Sequence, residues 1–161
     1  MEPTGGLVRT PSGLLLPGVH DGLPVMLKVP GCAEERRGCA LLACWNGAGG
    51  VPVLESDASG TLMLRATGRR DLTTMAGSGR DDDATAVLVE MARWLHSLGR
   101  PDEDDVRLLP LRDWFDALLR ETPADPLLAQ CAKVARRLLD APSGVGDVVA
   151  LHGDLHHGNV L

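Results

Sequence analysis

Apolar positions follow two patterns along the chain: short strand-like runs up to residue 66, and helical repeats from residue 81 onward. Leu7-Val8-Arg9-Thr10 predicts a short strand, followed by a Pro/Gly-punctuated stretch from Pro11 to Pro24. Val25-Met26-Leu27-Lys28-Val29 predicts a stronger strand, stopped by Pro30 and Gly31. Between Ala33 and Asn46, Leu41, Leu42 and Trp45 recur at helical spacing, and Asn46-Gly47 supplies the stop. Strands over Pro52–Glu55 and Thr61–Ala66 follow, joined through Asp57-Ala58-Ser59-Gly60 as a hairpin.

In the second half, Asp81-Asp82-Asp83 places negative charge where a helix N-terminus favours it. Ala84, Val87, Leu88, Met91, Trp94, Leu95 and Leu98 form one apolar helical face, ended by Gly99 and Pro101. Asp102-Glu103-Asp104-Asp105 predicts a solvated loop. A helix over Leu111–Arg120 is expected to bury Leu111, Trp114, Phe115, Leu118 and Leu119. Asp125-Pro126 caps another, reaching Leu139 with Leu127, Leu128, Cys131, Val134 and Leu138 inward. Ser143 to Gly146 is a turn into a strand over Val148–Leu151. Strand, helix, hairpin and then helices make an α+β chain.

Composition narrows the function classes. Hydrophobic residues make up 44% of 161, with 3 Trp, 1 Phe and no Tyr, so the core must be aliphatic. Stacking rings and basic grooves for nucleic acid are missing, and the net charge of −6 suits a cationic small molecule better. No apolar run approaches a membrane span and the N-terminus lacks a signal-peptide pattern, so no membrane partner and a cytoplasmic location are expected. The 4 cysteines contain no CxxC pair, which fits reduced thiols rather than a metal ribbon or disulfide framework.

The chemistry concentrates at the C-terminal end. Leu151-His152-Gly153-Asp154-Leu155-His156-His157-Gly158-Asn159 runs from an apolar segment into a loop with an Asp and, five residues later, an Asn. An Asp so placed accepts the proton of an attacking hydroxyl, and an Asn offers a neutral oxygen to magnesium on nucleotide phosphates. Lys28 interrupts an otherwise apolar strand, as a Lys reaching phosphate from a cleft would, although a solvated strand face also accepts one. Such a Lys needs an acidic partner on the next helix. Glu34 and Glu35 open that helix and Glu35 is preferred, while dipole-favoured placement explains either equally well.

Met26-Leu27-Lys28-Val29, the stretch from Glu34-Glu35-Arg36-Arg37-Gly38 to Trp45-Asn46-Gly47, Leu62-Met63-Leu64 and the terminal motif together resemble the aminoglycoside phosphotransferase family. The streptomycin 6-kinase and hydroxyurea phosphotransferase branch fits best, over roughly Leu23 to Leu161. The resemblance implies a protein-kinase-like bilobal α+β fold, with a β-rich, nucleotide-binding N-lobe over 1–66 and a mostly helical C-lobe over 67–161. It implies ATP and Mg2+ as cofactors and transfer of the γ-phosphoryl group to a hydroxyl of a small, cationic, antibiotic-like acceptor. Carried over by position, Asp154 is the base, Asn159 a magnesium ligand, Lys28 the phosphate-binding lysine and Glu35 its partner.

Two departures shape the expectations. The family carries a second metal-binding Asp shortly after the Asn, and more chain before Leu7, for which Gly5 and Gly6 are one candidate remnant. The chain is therefore expected to be truncated at both ends, with little kinase activity, marginal stability and an open edge at Val148–Leu151. Two rival readings use the same residues. One is a zinc hydrolase built on His152, Asp154, His156 and His157; the other is a non-catalytic kinase-like remnant.

Overall fold

The computed structural model describes residues 1–68, 71–102, 104–120, 124–141 and 148–160. Its N-terminal part is an antiparallel sheet of six strands: β1 (Glu2–Pro3), β2 (Val8–Thr10), β3 (Gly13–His20), β4 (Leu23–Pro30), β5 (Val53–Ser56) and β6 (Thr61–Leu64). The strand order is β1-β3-β4-β6-β5, with β2 also pairing β3, so β4 and its Lys28 stand at the centre. Helix α1 (Ala33–Trp45) connects β4 to β5 and packs on both.

The stretch Pro11–Pro24 is not an irregular connection: it holds β3, one of the two longest strands. Its Leu14-Leu15-Leu16 run pairs with Val29, Lys28 and Leu27 of β4. Asp21 and Gly22 then close a two-residue hairpin, both with positive φ (50° and 79°), as the tightest antiparallel turns require. The predicted hairpin forms between β5 and β6. Asp57 Oδ1 accepts from Ser59 N (2.7 Å), Ser59 Oγ (2.5 Å) and Gly60 N (3.1 Å), which fixes the turn.

Helices follow: α2 (Leu72–Gly77), α3 (Asp81–Ser97), α4 (Leu111–Trp114), α5 (Asp116–Arg120) and α6 (Pro126–Asp140). The α+β expectation holds, an antiparallel sheet with one helix giving way to helices, as in a kinase-like bilobal fold. The core is aliphatic and lies under the sheet and α3: Val25, Leu41, Leu62, Met63, Leu72, Leu95 and Val106 are all buried.

Residues 1–106 with 148–160 form one compact unit; the other, from Arg107 on, holds α4 to α6. In that second unit the predicted Leu111–Arg120 helix breaks at Phe115 into α4 and α5. Leu111, Trp114, Leu127, Leu128 and Leu138, all expected inward, are exposed, as is Cys131, while Ala132 is the buried position of α6. Periodicity marks which face is apolar, but covering it takes a neighbour, and α6 packs on the short α5. Polar bonds hold the unit: Arg112 Nη2 donates to Asp140 Oδ1 (2.5 Å) and Leu139 O (3.2 Å), and Arg136 Nη2 to Leu119 O (2.7 Å).

Two further expectations fail in the first unit. Trp94 of α3 is exposed, its indole N–H donating to Ala48 O at 2.6 Å. Val148–Leu151 is not a strand. Ala150 N–H reaches Gly99 O at 3.5 Å, and no described strand lies beside the segment to continue a ladder. The Ser143–Gly146 turn and Glu103 of the acidic loop lie outside the described residues. Among the described residues, no helix is long and apolar enough to cross a membrane.

Candidate functional site

Lys28 projects from the central strand, opposite Leu15 of β3 and Thr61 of β6, and forms an ion pair with Glu35 in the first turn of α1. The two side chains keep 31% and 22% of their exposure, so the pair is half-buried. Glu34, one residue earlier, is exposed, and the helix turn aims only Glu35 at the strand. In the structure Lys28 pairs with Glu35 and not with Glu34.

A third group, missed in the sequence, completes this end of the site. Ser12, in the β2–β3 turn, donates its hydroxyl to Glu35 Oε1 at 2.6 Å. Ser12 O also accepts from Gly31 N (2.7 Å) at the end of β4. This close approach needs glycine: a Cβ on Gly13 would lie 2.5 Å from Val29 O, and one on Gly31 2.9 Å from Ser12 O. Burial pushes the Glu35 carboxyl up, but hydrogen bonds from Lys28 and Ser12, with the lysine charge, outweigh it and hold the group below the ordinary Glu range. Glu35 is thus a fixed anion that orients Lys28.

The His152–Asn159 loop is built by local bonds. Gly153 has φ +80°, with no atom within 4 Å of where a Cβ would stand, so glycine is needed for backbone conformation and not for space. His152 Nδ1 accepts from Asp154 N (3.3 Å), and His156 Nδ1 accepts from Gly158 N (3.0 Å). The Asn159 amide donates through Nδ2 to Asp154 O at 2.7 Å and stands 3.4 Å from Asp154 Oδ2. The Asp154 carboxylate is itself 82% exposed, with His156 Nε2 3.6 Å away. A short helical turn, His157–Asn159, brings the Asn side chain back.

The loop is anchored to the helices beside it. The His157–Asn159 turn packs on α2, and His157 Nε2, buried without a hydrogen-bond partner, lies 3.6 Å from Asp81 Oδ1 at the start of α3. Burial pushes the His152 imidazole below its ordinary pKa, the Asp154 charge opposes that, and the charges of His156 and Lys28 add to the lowering. Neutral His152 is also the form whose Nδ1 can accept from the Asp154 amide.

Asn159 commits its Nδ2 to Asp154, which leaves Oδ1, with no hydrogen-bond partner among the described residues, as a hard neutral ligand suited to magnesium. The zinc reading fails. Among the described residues no three His, Cys, Asp or Glu side chains converge on a point where a metal could sit. Two of the imidazoles spend Nδ1 on backbone amides, and His157 turns toward α3.

A lysine held by a helix carboxylate, and a loop that presents Asp and Asn together, are the parts of a kinase-like phosphotransferase. Residues 1–161, the whole chain, match the family described as aminoglycoside/hydroxyurea antibiotic resistance kinase, and the chain belongs to that family. It is 42% identical over 157 residues to a streptomycin 3''-kinase of Klebsiella pneumoniae, covering 98% of this chain and 57% of the relative. It is 35% identical over 160 residues to a streptomycin 6-kinase of Streptomyces glaucescens (93% and 50% covered), and 33% over 175 residues to one of Streptomyces griseus (100% and 53%). The chain spans about half the length of these curated relatives. No solved structure matches it.

Proposed function

We propose that the chain serves an ATP-dependent phosphotransferase that moves the γ-phosphoryl group to a hydroxyl of a streptomycin-type aminoglycoside. The observation that carries this reading is the Lys28–Glu35 pair, formed within the same compact unit as the Asp154–Asn159 loop. The relatives named as streptomycin kinases support the acceptor class. In this reading residues 1–66 form the nucleotide-binding lobe and 67–161 carry the loop, in the cytoplasm where ATP is available.

Each residue then has a role that its chemistry allows. Lys28, aimed by Glu35, which Ser12 holds in place, binds the α- and β-phosphates. Asp154, whose carboxylate is exposed, takes the proton of the acceptor hydroxyl. Asn159 Oδ1 holds magnesium, which when bound neutralises charge on the phosphates. His152 stays neutral and fixes the Asp154 backbone, so the base does not wander. A cationic acceptor suits an exposed carboxylate base.

The test is to incubate the protein, at the full length of its relatives, with magnesium-ATP and streptomycin, following ADP release and the mass of the antibiotic. Asp154→Asn is expected to lower kcat by about 10²–10⁴ while leaving nucleotide affinity nearly unchanged. Lys28→Met is expected to weaken nucleotide binding. Saturable ATP binding with no transfer to any hydroxyl acceptor would overturn the enzyme reading in favour of a remnant. Failure to bind ATP at all would overturn both.

A further inference from the structure

A cavity of the first unit lies away from Lys28. It has a volume of about 620 Å³ and lies along another flank of α1, roughly a quarter-turn around the helix from Glu35. Cys39, Ala40 and Ala43 of α1, with Ala58 and Val106, give it an apolar floor of small side chains. The size is that of a small-molecule pocket.

Its rim is charged, and unevenly so. Asp57 and Asp105 contribute two carboxylates and Arg36 one guanidinium. Asp57 spends Oδ1 on all three bonds of the β5–β6 turn, leaving Oδ2 without a hydrogen-bond partner among the described residues. Those turn bonds, the Ser59 hydroxyl's first, hold the Asp57 carboxyl below its ordinary range, so it stays anionic. Asp105 is exposed and takes part in the fold through its backbone N–H, which donates to Asp102 O at 3.0 Å. Arg36 has no ion pair among the described residues. An apolar floor under a net negative rim complements an apolar body bearing one positive charge.

We propose that this groove is a binding site for a small amphipathic cation, an aromatic or aliphatic body carrying one protonated amine. It is separate from the Lys28–Glu35 site, with which it shares helix α1 and, through Pro30, the end of strand β4. Nothing in the argument depends on phosphotransfer, so it stands or falls apart from the function proposed above.

The test uses three probes of one shape: 2-phenylethylamine, 2-phenylethanol and 3-phenylpropionate, titrated into the protein and followed by backbone amide NMR. The amine is expected to give saturable shifts at Cys39, Ala40, Ala43, Ala58 and Val106, with Kd on the order of a millimolar for so small a ligand. The alcohol should bind at least about fivefold more weakly and the acid not measurably. Asp105→Asn, which keeps the backbone bond to Asp102, should weaken the amine several-fold without altering the rest of the spectrum. As a second readout, the amine should slow alkylation of the exposed Cys44 thiol on the groove's edge. Equal response to the three probes, no shift at the groove residues, or undiminished affinity in the Asp105→Asn protein would each overturn the proposal.

Discussion

Glu35 is the most informative single residue to perturb, because two distinct bonds converge on it. Two unit charges in hydrogen-bond contact, ~3 Å apart, attract by roughly 5–6 kcal/mol at an effective dielectric of about 20. Lys28 and Glu35 keep 31% and 22% exposure, so solvent screens part of that attraction and desolvation offsets much of the rest. A net coupling of about 1–2 kcal/mol remains, above the usual surface pair and below a fully buried one. Glu35→Gln removes the charge but keeps an oxygen for the Ser12 hydroxyl, whereas Glu35→Ala removes both. We therefore expect Glu35→Gln to cost about 1–2 kcal/mol, and Glu35→Ala about 0.5–1.5 kcal/mol more for the lost Ser12 bond. The assay is urea unfolding of Lys28→Met, Glu35→Gln and their combination, read as a double-mutant cycle. A coupling below about 0.5 kcal/mol would refute the argument, since the pair would then behave as an ordinary exposed one. Equal costs for Gln and Ala would refute the part given to Ser12.

Gly153→Ala should cost about 1–2 kcal/mol in urea unfolding, because φ +80° is disfavoured for any residue with a Cβ while the space around it is open. Gly153→Asn should recover part of that loss. Acidification should destabilise the fold in two stages, followed as Tm against pH. His152 is depressed from 6.5, so its contribution is complete above that value and is lost as pH falls below it. Glu35 is depressed from 4.5, so its contribution survives to lower pH and is lost as pH drops through its folded value. His152→Gln should flatten the first stage only. Asp125 Oδ1 accepts from Leu127 N (2.8 Å) and Leu128 N (3.0 Å) at the start of α6, so Asp125→Ala should cost about 1 kcal/mol and lower helical circular dichroism.

Elements written in local signals were legible from the sequence. The acidic start of α3, the Asp125-Pro126 cap of α6 and the Asp57–Gly60 turn each depend on residues within one turn of one another. β3 was hidden because Gly13, Pro17 and Gly18 look like punctuation. In the sheet, the Pro17 carbonyl accepts from Thr4 N (3.0 Å) at the break between β1 and β2, where the missing proline N–H does no harm. The decisive clue, Asp21-Gly22 between two apolar runs, lies inside the Pro/Gly-punctuated stretch. Burial in α4 and α6 was misjudged for another reason: an apolar stripe records what a helix offers, while exposure depends on what lies against it. At the site, spacing placed Asp154 and Asn159 together and offered Glu34 and Glu35, but only the helix turn separates those two. Ser12 carried no signal of its own, because its link to Glu35 spans 23 positions and depends on Gly13 beside it and Gly31 after β4.

The Asn159 amide acts first as a strut. Its Nδ2 ties the Asp154 carbonyl and stands near Oδ2, so the side chain holds Asp154 with one end and leaves the other end free. Asn159→Asp, which on ligand charge alone should improve affinity for a divalent cation, would remove that strut and set a second carboxylate against the first. The loss it causes would report loop collapse and repulsion together with any change in metal affinity. Asn159→Ala would share the first fault. The cleaner probe is to leave the residue intact and replace magnesium by manganese or calcium, which varies the ion while the loop's internal scaffolding is held constant.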